Sequence, residues 1–242
     1  MSEVLEARED AGVLTLTLSR AALGNALDDT LVEALLAAIL AAGDNEALHT
    51  LVLRGAGKHF CTGFDLSDLA AQSDGDLLRR FVRVELLLAA LWHAPLRTVA
   101  LAQGRAFGAG ADLFACCDQR VPQVGASFTF PGARFGLVLG TRRLAARLGE
   151  SRALACVTGG EVLDARAALA TGLASDLVDG DLDAWLAALP APVTERATSA
   201  ALKAATRPDM RDADLAALVR SAARPGLKAR IVAYREAQTR RG

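Results

Sequence analysis

The 242-residue chain is 52% hydrophobic with a formal net charge of −1. That much apolar sequence supports one well-buried core with at most a small appended subdomain, and the charge balance excludes the basic field of a nucleic-acid-binding domain. Cys61, Cys116, Cys117 and Cys156 form no CxxC pair and no His cluster accompanies them; this argues against a metal site and a disulfide framework, and for a reducing compartment.

In chain order, "VLEARE" and "VLTLTL" flank Asp10–Gly12 and predict a hairpin. The next helix is capped by Asp28 or Asp29 and ends at Gly43, with apolar residues at helical spacing between. "TLVLRGAG" is a short buried strand, and "HFCTGFDLSDLA" a loop plus a helix starting near Asp65, capped by Asp65 or Ser67. "GDLLRRFVRVELLLAALWHAP" is a long amphipathic helix stopped by Pro95. "RTVALAQGRAFG" is one strand running into glycines, "AGADLFACC" a buried helix, and "DQRVPQVGASFTF" two short strands joined at Val124–Gly125. From Thr141 onward short helices punctuated by glycine lead to two longer helical patterns, about 182–206 and 211–238. The polar N-terminal stretch is unlike a signal peptide, and no apolar run reaches about 18 residues, so the expectation is a soluble cytoplasmic protein.

The chemistry concentrates where "GRAFGAGADLFACCD" brings Gly104, Gly108 and Gly110 to the mouth of a helix carrying Asp112. A dinucleotide fingerprint needs a third glycine where Leu113 stands, and a Walker loop needs a Gly-Lys-Ser/Thr that is absent. A helix N-terminus with small residues still lets a ligand approach free N–H groups closely. The anion they meet need not be a phosphate; it can be a thioester enolate oxygen. "HFCTGFDLSDL" repeats that logic earlier in the chain.

The two segments together, followed by "GASFTFPGARFGL" and the helical run from "LGTRRLAARLG", resemble the crotonase superfamily, the enoyl-CoA hydratase/isomerase family, over roughly residues 10–180. The resemblance implies an α/β fold, a crotonase-like spiral of ββα units with a helical C-terminal region, divided here as a core at 1–185 and helices at 186–242. It implies an acyl-CoA thioester as substrate, no separate cofactor beyond the coenzyme A of that substrate, no metal, and a homotrimer or homohexamer. Carried over residue by residue, the two oxyanion donors are the N–H groups of Phe64 and Ala109. Leu23, Gly24, Asn25, Ala26 and Leu27 would meet the CoA moiety. Cys61, Gly63, Asp65 and Leu66 would line the CoA and thioester side, and Gly108, Pro131 and Gly132 would also bind substrate. Arg20, Lys58 and Lys228 are candidates for the CoA phosphates.

The departures are as informative. Family hydratases use two glutamates, one to activate water and one to protonate the α-carbon. Their positions fall on Asp112 and Gly132, so one carboxylate is shortened and the other is missing. Phe64 stands where the family often has alanine, and its phenyl group would fill or shorten the acyl site. The expectation is an acyl-CoA enzyme of the hydratase/isomerase type with Asp112 as acid/base. A thioester hydrolase or decarboxylase on the same scaffold, or a degenerate acyl-CoA-binding protein, is the alternative. Asp68, Glu85, His59, His93 and Arg134 are weaker candidates, each with a structural reading beside it.

Overall fold

A computed structural model describes residues 3–240; Met1, Ser2, Arg241 and Gly242, the outer ends of the two expected regions, lie outside it. β1 (Leu5–Asp10) and β2 (Val13–Leu18) form the expected hairpin. Its two-residue turn puts both Ala11 and Gly12 at positive φ, the twist that suits a tight hairpin. α1 (Asp29–Asp44) is capped by Asp28, whose carboxylate accepts from Leu31 N–H, and it runs one residue past Gly43. β3 (Thr50–Gly55), α2 (Asp74–Trp92) and β4 (Arg97–Ala102) follow, then β5 (Arg105–Phe107), α3 (Ala109–Cys116), β6 (Gln119–Pro122) and β7 (Ser127–Thr129). The rest is α4 (Thr141–Leu148), α5 (Glu150–Gly159), the two-residue β8 (Leu163–Asp164), α6 (Ala165–Ala170), α7 (Leu182–Ala187), α8 (Arg196–Thr206), α9 (Arg211–Ala222) and α10 (Leu227–Thr239).

One sheet has the order β1-β2-β3-β4-β6, parallel apart from the hairpin; a second, small sheet is β5-β7-β8. β3 and β4 are buried on both faces, which explains their near-continuous apolar runs. Leu51, Leu53 and Ala100 face the core built by α1 and α2, while Val52, Val99 and Leu101 pack with Leu182 and Trp185 of α7. Leu31, Leu35 and Ile39 bury the inner stripe of α1, each contributing about 1.5–3 kcal/mol by leaving water.

Four expectations change. "RTVALAQGRAFG" is two strands in different sheets, because Gly104 turns the chain at φ 58°. No α-helix starts at Asp65; a single 3₁₀ turn at Leu69–Ala71 is followed by α2, which Ser73 and Asp76 close with a capping box. Each long C-terminal pattern is two helices, broken where Pro190 and Pro192 fall in one and Pro225–Gly226 in the other. The boundary drawn at residue 185 falls inside α7.

Candidate active site

The glycine segment ends β5 and opens α3. Gly108 caps the helix at φ 52°, and its N–H donates to Thr129 O of β7 at 2.8 Å. Ala109, at the first helical position, has no intrahelical acceptor for its N–H. Beside it runs the 60–65 loop. Leu27 N–H donates to Gly63 O at 2.8 Å and Asp65 N–H to Leu27 O at 3.0 Å, a parallel bridge that leaves Phe64 N–H facing away from Leu27. A Cβ built on Gly63, which sits at φ 95°, would lie 2.5 Å from Phe107 O and 3.5 Å from Ala109 N. Glycine at 63 therefore lets the two segments close on each other. Among the described residues neither Phe64 N–H nor Ala109 N–H has a hydrogen-bond acceptor. Only the second of the two expected helix entries is a helix entry; the first donor comes from an extended loop.

Both segments line a cavity of about 570 Å³. Phe64, Leu66, Phe81, Phe107, Leu137 and Leu139 give it apolar walls, and Pro131 and Gly132 form part of its edge. Asp112 reaches the same cavity from the first turn of α3. Its carboxyl is almost wholly buried and takes no hydrogen bond from a described residue. Burial pushes its pKa well above the usual carboxylate range; Arg143 opposes this and Glu85 adds to it. Gly140, at φ 66°, packs directly on this carboxyl, and a Cβ there would collide with it. Behind it Arg143 and Glu85 form a buried two-point ion pair at 2.5 and 3.1 Å, with Asp214 at 3.6 Å from the same guanidinium. Arg143 Nε is buried without a partner.

Of the expected site residues, Gly63, Phe64, Leu66, Gly108, Ala109, Asp112, Pro131 and Gly132 meet at this cavity. Leu23, Gly24, Ala26, Cys61 and Asp65 do not line it. Leu23 is more than half exposed on the neighbouring loop. Gly24 packs on the Thr62 side chain. Cys61 is fully buried; its Sγ donates to Asn25 O at 3.1 Å, and burial holds its thiol up at about 12. Its chain position supports the loop from behind, so it is no nucleophile. Asp65 is held by Arg20 at 2.9 Å and by Ser67 N–H at 2.9 Å. Arg20 is thereby committed to Asp65 and Asp28, and Lys228 donates to Ala70 O, whereas Lys58 is exposed. His59 Nδ1 accepts from Arg105 N–H, and His93 caps α2; burial lowers the pKa of both. Asp68 is exposed.

Asn25 has a different place from the one expected. It is fully buried, at φ 57°, and its amide donates to Ala56 O, His59 O and Phe60 O at 2.9, 2.7 and 3.2 Å. Its Oδ1 accepts from Arg20 N–H at 3.0 Å. One side chain thus pins the loop that leads to Phe64. Asn25→Ala leaves several buried carbonyls unpaired and is expected to cost about 2–3 kcal/mol, read as a lowered denaturant midpoint. The C-terminal helices also contribute: Tyr234 and Gln238 of α10 line the cavity, and the Tyr234 ring centroid lies 5.3 Å from that of Phe135. The signal available was that Tyr234 is the one tyrosine of the chain.

A cavity that pairs two unengaged backbone donors with one buried acid matches the similarity of the whole chain. The family model "Enoyl-CoA hydratase/isomerase" matches residues 8–223. The chain belongs to the enoyl-CoA hydratase/isomerase family. It is 40% identical over 179 residues to a probable enoyl-CoA hydratase of Mycobacterium tuberculosis, covering 72% of this chain and 71% of that one. It is 33% identical over 213 residues to the 2,3-dehydroadipyl-CoA hydratase of Escherichia coli, covering 85% and 80%. Among solved structures, a Bordetella parapertussis protein provisionally assigned as an enoyl-CoA hydratase/isomerase superposes with a TM-score of 0.89 at 43% identity, covering 96% and 98%. The fold is therefore the α/β crotonase fold with C-terminal helices, and the protein is an enoyl-CoA hydratase-like enzyme. Among the described residues no helix is long and apolar enough to cross a membrane.

Proposed function

We propose that this crotonase-family enzyme binds an acyl-CoA thioester with its carbonyl oxygen between Phe64 N–H and Ala109 N–H, and that Asp112 exchanges the proton at the α-carbon. The observation that carries the reading is the convergence of those two unpaired donors and one buried acid on one cavity. Donors already in place cost no reorganisation as charge develops on the oxygen, which is why such sites supply a large part of the barrier lowering. CoA itself would pass over the exposed Leu23 side chain, near the exposed Lys58.

With a 2-enoyl thioester, addition of water balances through one carboxyl group. Water attacks the β-carbon and electrons move onto the thioester oxygen. The resulting enolate takes the Asp112 proton at its α-carbon. The proton lost by the water then returns to the Asp112 carboxylate. Burial raises the pKa of Asp112, a shift in the direction that favours the protonated acid this cycle starts from. Assembly as a homotrimer or homohexamer and a cytoplasmic location belong to the same reading; sedimentation of the purified protein checks the first.

Hydration in this scheme lacks a second carboxylate, because Gly132 has no side chain at the cavity edge. The position has room: a Cβ at Gly132 would meet its nearest atoms, Leu137 O and Cβ, at 3.6 and 3.9 Å, and the backbone there needs no glycine conformation. Gly132→Glu is expected to raise hydration of a 2-enoyl-CoA by about 10²-fold, followed as loss of the conjugated-thioester absorbance. If Gly132→Glu binds substrate and leaves the rate unchanged, proton transfer to an enolate formed another way, as in decarboxylation, becomes the better reading.

A further inference from the structure

The Phe64 side chain lies apart from the chemistry of its N–H group and is held with unusual care. Its ring stacks on Phe81 of α2, with centroids 4.1 Å apart and planes 18° from parallel. The Arg80 guanidinium lies over the same ring, 4.2 Å from its centroid. Arg80 is itself immobilised: it donates to Asp29 at 3.0 Å, to Gln72 Oε1 at 2.8 Å and to Asp65 O at 3.0 Å. Arg80, a charged side chain only 6% exposed, is thus spent on fixing one phenyl ring and the residue after it. Phe64 and Phe81 both wall the cavity. Behind them the described structure continues as an apolar cluster of Leu69, Leu77, Leu218, Leu227 and Ile231, closed by α2, α9 and α10.

We propose that the Phe64 ring, stacked on Phe81 and clamped by Arg80, is the end wall of the acyl pocket and sets the length of acyl chain the enzyme accepts. The inference rests on the acyl-CoA reading above. Because the ring and the oxyanion donor belong to one residue, the acyl chain meets this wall within a few bonds of the thioester. A longer chain gains nothing from its extra methylenes unless the ring moves, and the stack and the cation–π contact both resist that movement. Removing the ring adds its own volume to the cavity on the side where the apolar cluster lies. The substrates selected are then short acyl thioesters, and selection acts through a side chain while the backbone N–H keeps its place.

The test measures binding of saturated butyryl-, hexanoyl-, octanoyl- and decanoyl-CoA by calorimetry for the wild type, Phe64→Ala and Phe64→Leu. Affinity rises about fourfold for each methylene buried from water. The wild type is expected to plateau early in the series. Phe64→Ala is expected to keep gaining about fourfold per methylene for roughly two or more further methylenes, and Phe64→Leu, which retains bulk but not the stack, to fall between. Identical length profiles in all three proteins overturn the inference, as does a wild-type affinity that climbs unbroken to decanoyl-CoA. If none of the four thioesters binds the wild type, the acyl-CoA reading itself fails, a result distinct from an unshifted profile. Should Phe64→Ala fail to fold, the Phe64→Leu profile alone decides, since loss of the stack must still lengthen the series.

Discussion

Asp112→Asn is expected to lower turnover of an acyl-CoA substrate by about 10²–10⁴-fold while leaving thioester binding intact. The amide has nearly the same shape and stays uncharged in its buried seat against Gly140, so the cavity keeps its form. What it loses is the proton that Asp112 moves. The same substitution changes stability with a defined sign. Burial raises the folded-state pKa of Asp112 above its unfolded value. The folded state therefore holds its proton more tightly, and wild-type stability falls as pH rises from about 4 towards the folded pKa. Asp112→Asn removes that loss. Below about pH 4 the two proteins should differ little, and at neutral pH the variant should be the more stable, by chemical denaturation across the range. Lower activity with equal or greater stability separates a catalytic acid from a structural one; a variant that is both inactive and destabilised at neutral pH would contradict the assignment.

Arg143→Met is expected to be the most destabilising single change near the site. It leaves the Glu85 carboxylate buried without its two-point partner, which costs about 3–5 kcal/mol and lowers Tm by roughly 10 °C. Glu85→Leu combined with Arg143→Met removes both charges and should recover most of the loss, because the pair's attraction largely offsets its own desolvation. The pair also bears on chemistry. Arg143 lowers the pKa of Asp112 and Glu85 raises it. The double variant therefore keeps Asp112 buried with both influences removed, and its pH–rate profile reports their balance. A single variant that melts with the wild type would show that Glu85 takes up a proton and needs no partner.

Much of this arrangement was legible in the amino-acid sequence. Asp10–Gly12, Asp28 and Pro95 marked element ends because capping, turn geometry and the loss of an N–H act locally. Gly108–Ala109 at the mouth of a buried helix pointed to a backbone donor for the same reason. The misses came from long-range contacts. Gly104 reads as part of a strand, but its positive φ sends β5 into a different sheet. Asp65 looks like a helix cap, yet Arg20, 45 positions earlier, claims it as an ion-pair partner. Cys61 and Asn25 sit inside matching motifs, and the fold uses them to brace the oxyanion loop from behind. Tyr234 and Gln238 arrive from the far end of the chain, where helical periodicity gives no hint of what a face will meet. Gly140 and Arg143 act on Asp112 through space that no spacing rule encodes.

The most direct test of the account is a crystal structure of the enzyme with a saturated acyl-CoA bound. The account predicts a thioester oxygen within about 3 Å of both Phe64 N and Ala109 N, with the α-carbon facing Asp112. A thioester oxygen lying away from both nitrogens, or a carbonyl turned towards bulk water, would contradict it.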